Sequence, residues 1–291
     1  FSCHLYPLTE RGDIRLYQND PAARHADLLL VGHADLMVRD HDKHRRFRRD
    51  GSRLYGSGIA ESKAGLVVIE YALRALRHRR LLNQLRIKVL LTPDAFLGNK
   101  YSEATVQQQA ALCRRVLSFK PGGGGGEVVT RRNGVAYFSA VVEGESKHFT
   151  GAELQTGASA IDELAHKIRA WSRLSDEERD IHVHVNSVHA DEHSGYLPDH
   201  AHASLFATFA HAEDEDRLVA EIKKIAKKSF VGGSRCSLST EIMRAPFAES
   251  EQVQQLYGEL SRVADAMGRP LGAIVRYSAS EANVLALGVA A

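Results

Sequence analysis

"LLTPDAFLGNK", residues 90–100, is the stretch on which the reading of the fold turns. Joined to the residues before it, it gives "LRIKVLLTPD" (85–94), a short apolar run that reads as a buried strand, with Pro93 and Gly98 marking the turn at its end. Outward towards the N-terminus, "ADLLLVGHADLMV" (26–38) has the same character and leads into the basic, His-rich loop "VRDHDKHRRFRRDGSR" (38–53), a solvated connection. "ESKAGLVVIEYALRALRHRR" (61–80) places Leu66, Ile69, Leu73 and Leu76 at three- and four-residue steps, the spacing of a helix with one apolar face, and its basic last turn suits the helix dipole. Outward towards the C-terminus, "EATVQQQAALCRRVL" (103–117) reads as a helix and "VLSFKP" (116–121) as a strand. Strands alternating with helices predict an α/β fold with a mainly parallel sheet and helices on both faces.

"PGGGGGE" (121–127) interrupts this pattern as a flexible loop, with neither the GxGxxG context nor the lysine of a phosphate cradle. Beyond it, "GVAYFSAVVEG" reads as a strand, "GASAIDELAHKIRAWSRL" as a helix, "DIHVHVNSVHA" and "HAHASLFATFA" as two strands, and "DEDRLVAEIKKIAKKS" as a helix. That order predicts a small two-layer α/β unit. From about Ala245 the first style resumes with the helix "SEQVQQLYGELSRVADAMG". The expectation is a discontinuous main domain, residues 1–130 and 244–291, carrying an inserted domain, residues 131–243.

The 291 residues are 44% hydrophobic and 25% charged, with a formal net charge of +2, the balance of an ordinary globular protein rather than a polyanion binder. No nucleic-acid partner is expected. No apolar run approaches the ~20 residues of a membrane span, and "FSCHLYPLTERGD" does not read as a secretory leader. Cys3, Cys113 and Cys236 are odd in number and widely separated, which predicts reduced thiols, a cytoplasmic protein and no zinc–thiolate site.

Six stretches, in order and at suitable spacing, resemble the motifs of the zinc exopeptidase and amidohydrolase family that contains glutamate carboxypeptidases, aminoacylase, peptidase T and succinyl-diaminopimelate desuccinylase. "VGHADLM" is similar to Gly-His-x-Asp-Thr-Val, and "RLYGSGIAESKAGL" to Tyr-Gly-x-Gly-x-x-Asp-x-Lys-Gly-Gly. "LLTPDAFLGN" falls on Pro-Asp-Glu-Glu-x-Gly-Ser, "VEGESKHFTG" on Gly-x-x-x-His-Ala-Gly, "GYLPDHA" on Asn-x-x-Pro-Asp-x-Ala and "SASEANVLALGV" on Ser-Asp-x-Asn. The resemblance covers nearly the whole chain. It implies a zinc-exopeptidase-like α/β domain with an inserted lid and dimerisation domain.

Carried over position by position, the resemblance implies a metal-ligating role for His33, with Asp35 as the carboxylate that orients it. Glu61 stands at the bridging aspartate, Ala95 at the general-base glutamate, Phe96 at the next glutamate ligand and Lys120 at a further acidic ligand. The family's last ligand, a histidine, would fall beyond Ala291. His148 matches the inserted-domain histidine that helps hold the oxyanion, often across a dimer. Gly195, Thr208 and Glu281 stand where the family has asparagine, a carboxylate-binding arginine and aspartate.

Plainer roles stay open beside these: His33 and Asp35 as a hydrogen-bonded pair at a strand end, Glu61 as a carboxylate at a helix start, His148 as a loop histidine. His182 and His184 alternate on one strand face, either as a solvated face or as an adventitious metal site.

A two-metal site needs imidazoles, carboxylates and a proton acceptor. Ala95 and Phe96 supply none of these, and Lys120 puts a positive charge where the resemblance calls for a negative one. The expectation is that the Lys120 ammonium neutralises Asp35 and Glu61 without a metal. Three readings follow: a non-catalytic homologue that binds a small acyl-amino-acid or peptide-like ligand or a protein partner and forms a homodimer through the inserted domain; a hydrolase with a reduced site, one zinc on His33 and Glu61; or a different reaction using Lys120, His33 or His148 as acid or base. The first, with no cofactor, is preferred.

Overall fold

The computed structural model describes residues 1–9, 12–36, 46–148, 157–190 and 195–285. The chain divides into two units, Phe1–Thr130 with Glu249–Ile274 and Ser280–Ala291, and Arg131–Ala248 with Val275–Ala279.

The first unit opens with an antiparallel pair, β1 (Ser2–Tyr6) and β2 (Ile14–Gln18), formed by a segment in which the sequence reading found no strand. Then come β3 (Ala26–His33), a small hairpin of β4 (Arg48–Asp50) and β5 (Arg53–Tyr55), α1 (Ala64–His78), β6 (Ile87–Thr92), α2 (Glu103–Ala111) and β7 (Cys113–Ser118). The reading of one helix over 103–117 is corrected here: the chain leaves the helix at Leu112 and enters β7 at once. The central sheet runs β1-β2-β6-β3-β7. Its pairings β1–β2 and β2–β6 are antiparallel, whereas β6–β3 and β3–β7 are parallel, so the mainly parallel sheet is better described as mixed.

Alternation along the central strands assigns each sheet face its helices. Leu30, Ile87 and Val89 point to the face covered by α1 and pack with its Ile69. Leu29, Val31 and Leu90 point the other way, onto Val106 and Ala110 of α2 and onto Val284 of α6 (Glu281–Leu285). Strands buried on both faces are apolar at successive positions, which is why "LLLV" reads as a continuous run. The glycine run "PGGGGGE" is a turn closed on Glu127, whose carbonyl accepts from Gly123 N and whose carboxylate accepts from Gly125 N.

The second unit is built on a four-stranded antiparallel sheet. Its strands are β9 (Gly134–Glu143), β10 (His182–Ala190), β11 (His200–Phe209) and β12 (Arg235–Arg244), in the order β10-β11-β9-β12. The two helices are α3 (Ala160–Ser172) and α4 (Glu213–Lys227). The strand β12, from "RCSLSTEIMR", was missed because its apolar positions are few. Phe138, Leu205 and Phe209 from the sheet, Leu164 and Trp171 from α3, and Leu218 and Ile222 from α4 form one core. Trp171 is fully buried and its indole N–H donates to Ile222 O at 3.2 Å. Beside it, the Lys167 ammonium donates to the carbonyls of Ile225, Ala226 and Lys228 and pairs with Glu163 at 2.8 Å. It thereby caps the carbonyl end of α4, where Ile225 O also accepts from the Lys228 backbone N–H.

Two further strands are β8 (Val128–Arg132) and β13 (Ala273–Arg276), which pair with each other, and α5 (Glu251–Ala266) completes the elements. Among the described residues no helix is long and apolar enough to cross a membrane.

Candidate functional site

The ends of β3, β6 and β7 bring the candidate residues of the first unit together. Parallel strands align their C-terminal ends, and in open α/β sheets that edge is where ligands are bound. His33 is the last residue of β3 and is fully buried. The register of β3 with β7 pairs Val31 with Ser118, and the Phe119 N–H continues the ladder to Val31 O at 2.8 Å. Lys120 therefore follows β7 beside His33. Gly65 in α1 makes this arrangement possible, because a Cβ there would strike the Phe119 carbonyl.

His33 Nδ1 lies 3.0 Å from Asp35 Oδ1, and the other carboxylate oxygen accepts from the Phe96 backbone N–H at 2.8 Å. Burial pushes the Asp35 carboxyl up. The hydrogen bonds from His33 and from the backbone of Phe96 and Ala95, with the attraction of His33, outweigh it and hold Asp35 below the usual carboxylate range. An ionised Asp35 accepts from Nδ1, so in the neutral ring the hydrogen stands on Nδ1 and Nε2 carries a lone pair. That Nε2 is buried and has no hydrogen-bond partner among the described residues.

The turn after β6 is held from within. Asp94 is fully buried, and its carboxylate accepts from Tyr101 N at 2.7 Å, Ser102 N at 3.0 Å and Ser102 Oγ at 2.6 Å. Asn99 takes a positive φ of 59° and donates its side-chain N–H to Ser102 Oγ at 3.1 Å. Ala95 is buried on this turn, and the Phe96 ring sits edge-on to His33 with centroids 5.7 Å apart. Lys120 Nζ lies 5.7 Å from the centre of the same phenyl ring.

Lys120 also lies 3.8 Å from Glu281 Oε2, with its side chain 14% exposed and that of Glu281 fully buried. Ser118 Oγ reaches the same oxygen at 3.5 Å, whereas Glu281 Oε1 has no partner among the described residues. The expectation that Lys120 neutralises Asp35 and Glu61 is thus corrected. Asp35 is satisfied by His33 and the Phe96 backbone, and Glu61 is exposed in the π-helical turn Ile59–Lys63. The ion-pair partner of Lys120 is Glu281. The signal lay in the sequence as opposite charges, lysine and glutamate, at two of the resembling positions.

His148 belongs to the second unit. It is exposed, bridges Tyr196 through the backbone and packs edge-on to its ring at 4.8 Å. Gly195 has a φ of +85°, where glycine is at ease and asparagine is among the few tolerated alternatives. Thr208 is buried in β11. His182 and His184 stack with ring centroids 6.4 Å apart, and His182 is paired with Asp180 at 3.0 Å.

A zinc ion is held by three or four nitrogen, oxygen or sulfur donors converging within about 2.3 Å. Among the described residues no three His, Cys, Asp or Glu side chains converge in this way. The strand-end cluster offers two unpartnered atoms, His33 Nε2 next to the Phe96 ring and Oε1 of Glu281, whose other oxygen faces the Lys120 ammonium. Among the described residues this falls short of the three donors of a zinc centre.

Residues 130–234 match the family model described as a peptidase dimerisation domain. The chain is 29% identical over 192 residues to carboxypeptidase G2 from Pseudomonas sp. (strain RS-16). That match covers 65% of this chain and 46% of the curated relative, so the chain spans less than half of that protein's length. An M20 family metallo-carboxypeptidase from Sulfolobus solfataricus shares the fold with a TM-score of 0.75, at 14% identity, over 97% of this chain and 78% of that one. The aminopeptidase PepT from Bacillus cereus does so with a TM-score of 0.67, at 18% identity, over 95% and 74%.

Proposed function

Given a homologue of the M20 metallopeptidases that carries a peptidase dimerisation domain at residues 130–234, we propose that this chain does not perform zinc hydrolysis at its strand-end cleft. It acts instead as a binding protein for a small acyl-amino-acid or peptide-like ligand or for a protein partner. The observation that carries this reading is the Lys120–Glu281 ion pair packed beside Phe96 and His33, where hydrolysis would need acidic ligands and a base. The proposed arrangement is a main domain of residues 1–130 and 244–291 with an inserted domain of residues 131–243, through which two copies pair. The three cysteines are free, which supports a reducing compartment such as the cytoplasm.

The test is a hydrolysis screen with acyl amino acids and dipeptides, with added zinc and with chelator, run beside sedimentation of the full chain. The expected result is a dimer without turnover. Turnover abolished by the chelator overturns the reading.

A second reading has one observation in its favour. The unpartnered Nε2 of His33 suits a single metal ion, held with Glu61 in a reduced site. It requires one zinc per chain, lost on His33→Ala.

A further inference from the structure

Two buried atoms of the strand-end cluster, His33 Nε2 and Glu281 Oε1, lack hydrogen-bond partners among the described residues. Glu281 Oε1 is an acceptor because it belongs to a carboxylate, and His33 Nε2 is one in the neutral ring, whose hydrogen stands on Nδ1 towards Asp35. Two unsatisfied buried acceptors are costly unless a positive charge stands close by. For the Glu281 carboxylate the structure supplies one. Lys120 follows β7, whose ladder with β3 ends at Ser118 and is continued by the Phe119 N–H to Val31 O. Its ammonium is paired with Glu281 at 3.8 Å and lies over the Phe96 ring.

We propose that the Lys120 ammonium is a built-in cation that takes the electrostatic place of a metal ion in this cluster, so that the folded chain neither needs zinc there nor admits it. The inference rests on the proposed loss of zinc hydrolysis and says what replaced the metal. Three features act together. The ammonium supplies the positive charge that buried Glu281 requires. A dication entering beside it meets like-charge repulsion, which is strong at short range in a protein interior. Phe96 occupies the space next to His33 and gives the ammonium an aromatic face. The single positive charge of lysine matches the single carboxylate paired with it, because Asp35 is already engaged by His33 and the Phe96 backbone.

The experiment uses the full chain. Metal analysis after purification without chelator is combined with thermal denaturation in chelator and in zinc chloride. Wild type is expected to hold no stoichiometric zinc and to keep its melting midpoint in both. A double-mutant cycle then joins Lys120→Met, Glu281→Gln and the pair. Each single change is expected to lower the midpoint, and the double change to lower it by less than the sum, because each single change strands the other's charge or acceptor. Lys120→Arg keeps the charge and most of the stability. Zinc is expected to raise the midpoint of Lys120→Met but not that of wild type, since removing the ammonium removes the repulsion.

Stoichiometric zinc in wild type that is lost on His33→Ala overturns the proposal. So do additive losses in the cycle, or an equal zinc response in wild type and Lys120→Met. If Lys120→Met alone does not fold, a cooperatively folded double variant supports the proposal, and a double variant that also fails overturns it. Hydrolysis by wild type that persists in chelator overturns the proposed function while supporting a metal-free cleft.

Discussion

The backbone N–H of Phe96 donates to the side chain of Asp35, at 2.8 Å across 61 positions of sequence. One carboxylate thereby ties the loop after β3 to the turn after β6, while its other oxygen orients His33. Asp35→Ala removes both ties and leaves a buried imidazole N–H and a backbone N–H without acceptors. The expected loss is about 2–4 kcal/mol by urea denaturation, and the His33 side-chain resonances shift in NMR. Asp35→Asn retains an acceptor and is expected to lose less than Asp35→Ala.

Asp94→Ala tests the turn itself. Its carboxylate accepts three hydrogen bonds from Tyr101 and Ser102 in a fully buried position. The expected cost is about 3 kcal/mol, and amide exchange quickens over residues 94–102. Exchange that stays slow there would show that Asn99 and Pro93 hold the turn unaided.

Gly65→Ala is expected to lower stability by about 1–3 kcal/mol, although alanine is the better helix former. The added Cβ meets the Phe119 carbonyl, and either α1 or the end of β7 must yield. A melting midpoint equal to or above that of wild type counts against this packing.

Glu163 gives the acid dependence of the second unit. Burial raises its carboxyl, but hydrogen bonds from Lys167 and from the backbone of Val231 and Phe230, with the attraction of Lys167, bring it below its ordinary value of 4.5. A carboxyl depressed in the folded state contributes stability that is fully present above the ordinary value and is lost as pH falls through the folded one. Stability is therefore expected to decline below about pH 4.5. Glu163→Gln is expected to flatten that decline and to cost about 3–5 kcal/mol at neutral pH, because it leaves Lys167 buried without a counter-charge. Denaturant titrations between neutral pH and acid measure both effects.

The α/β class and most elements were legible because their apolar spacing is regular. Leu66, Ile69, Leu73 and Leu76 announce α1, and the runs around Leu30 and Leu90 announce doubly covered strands. The antiparallel pair at the start was not legible. In β1 the residues from Ser2 to Leu5 are exposed, so no alternation marks it. The strand β12 was missed for a related reason: only Cys236, Leu238, Ile242 and Met243 are apolar among ten residues, and a bulge between Thr240 and Ile242 breaks their period. At the candidate site, the pairing of His33 with Asp35 lies two residues apart and was foreseen. The pairing of Lys120 with Glu281 joins residues 161 positions apart that the sheet and α6 bring together. Local spacing carries no trace of such a contact, and only the complementary charges hinted at it.

The turn at Asp94–Ser102 keeps its shape through Asp94, Asn99 and Ser102, none of which is Ala95 or Phe96. Backbone and occupant are therefore decoupled. The side-chain hydrogen bonds that hold the loop's path use neither of the two side chains that fix whether this edge of the sheet is acidic or apolar. That independence makes Ala95→Glu with Phe96→Glu a direct way to measure how far Lys120 stands between this scaffold and a metal.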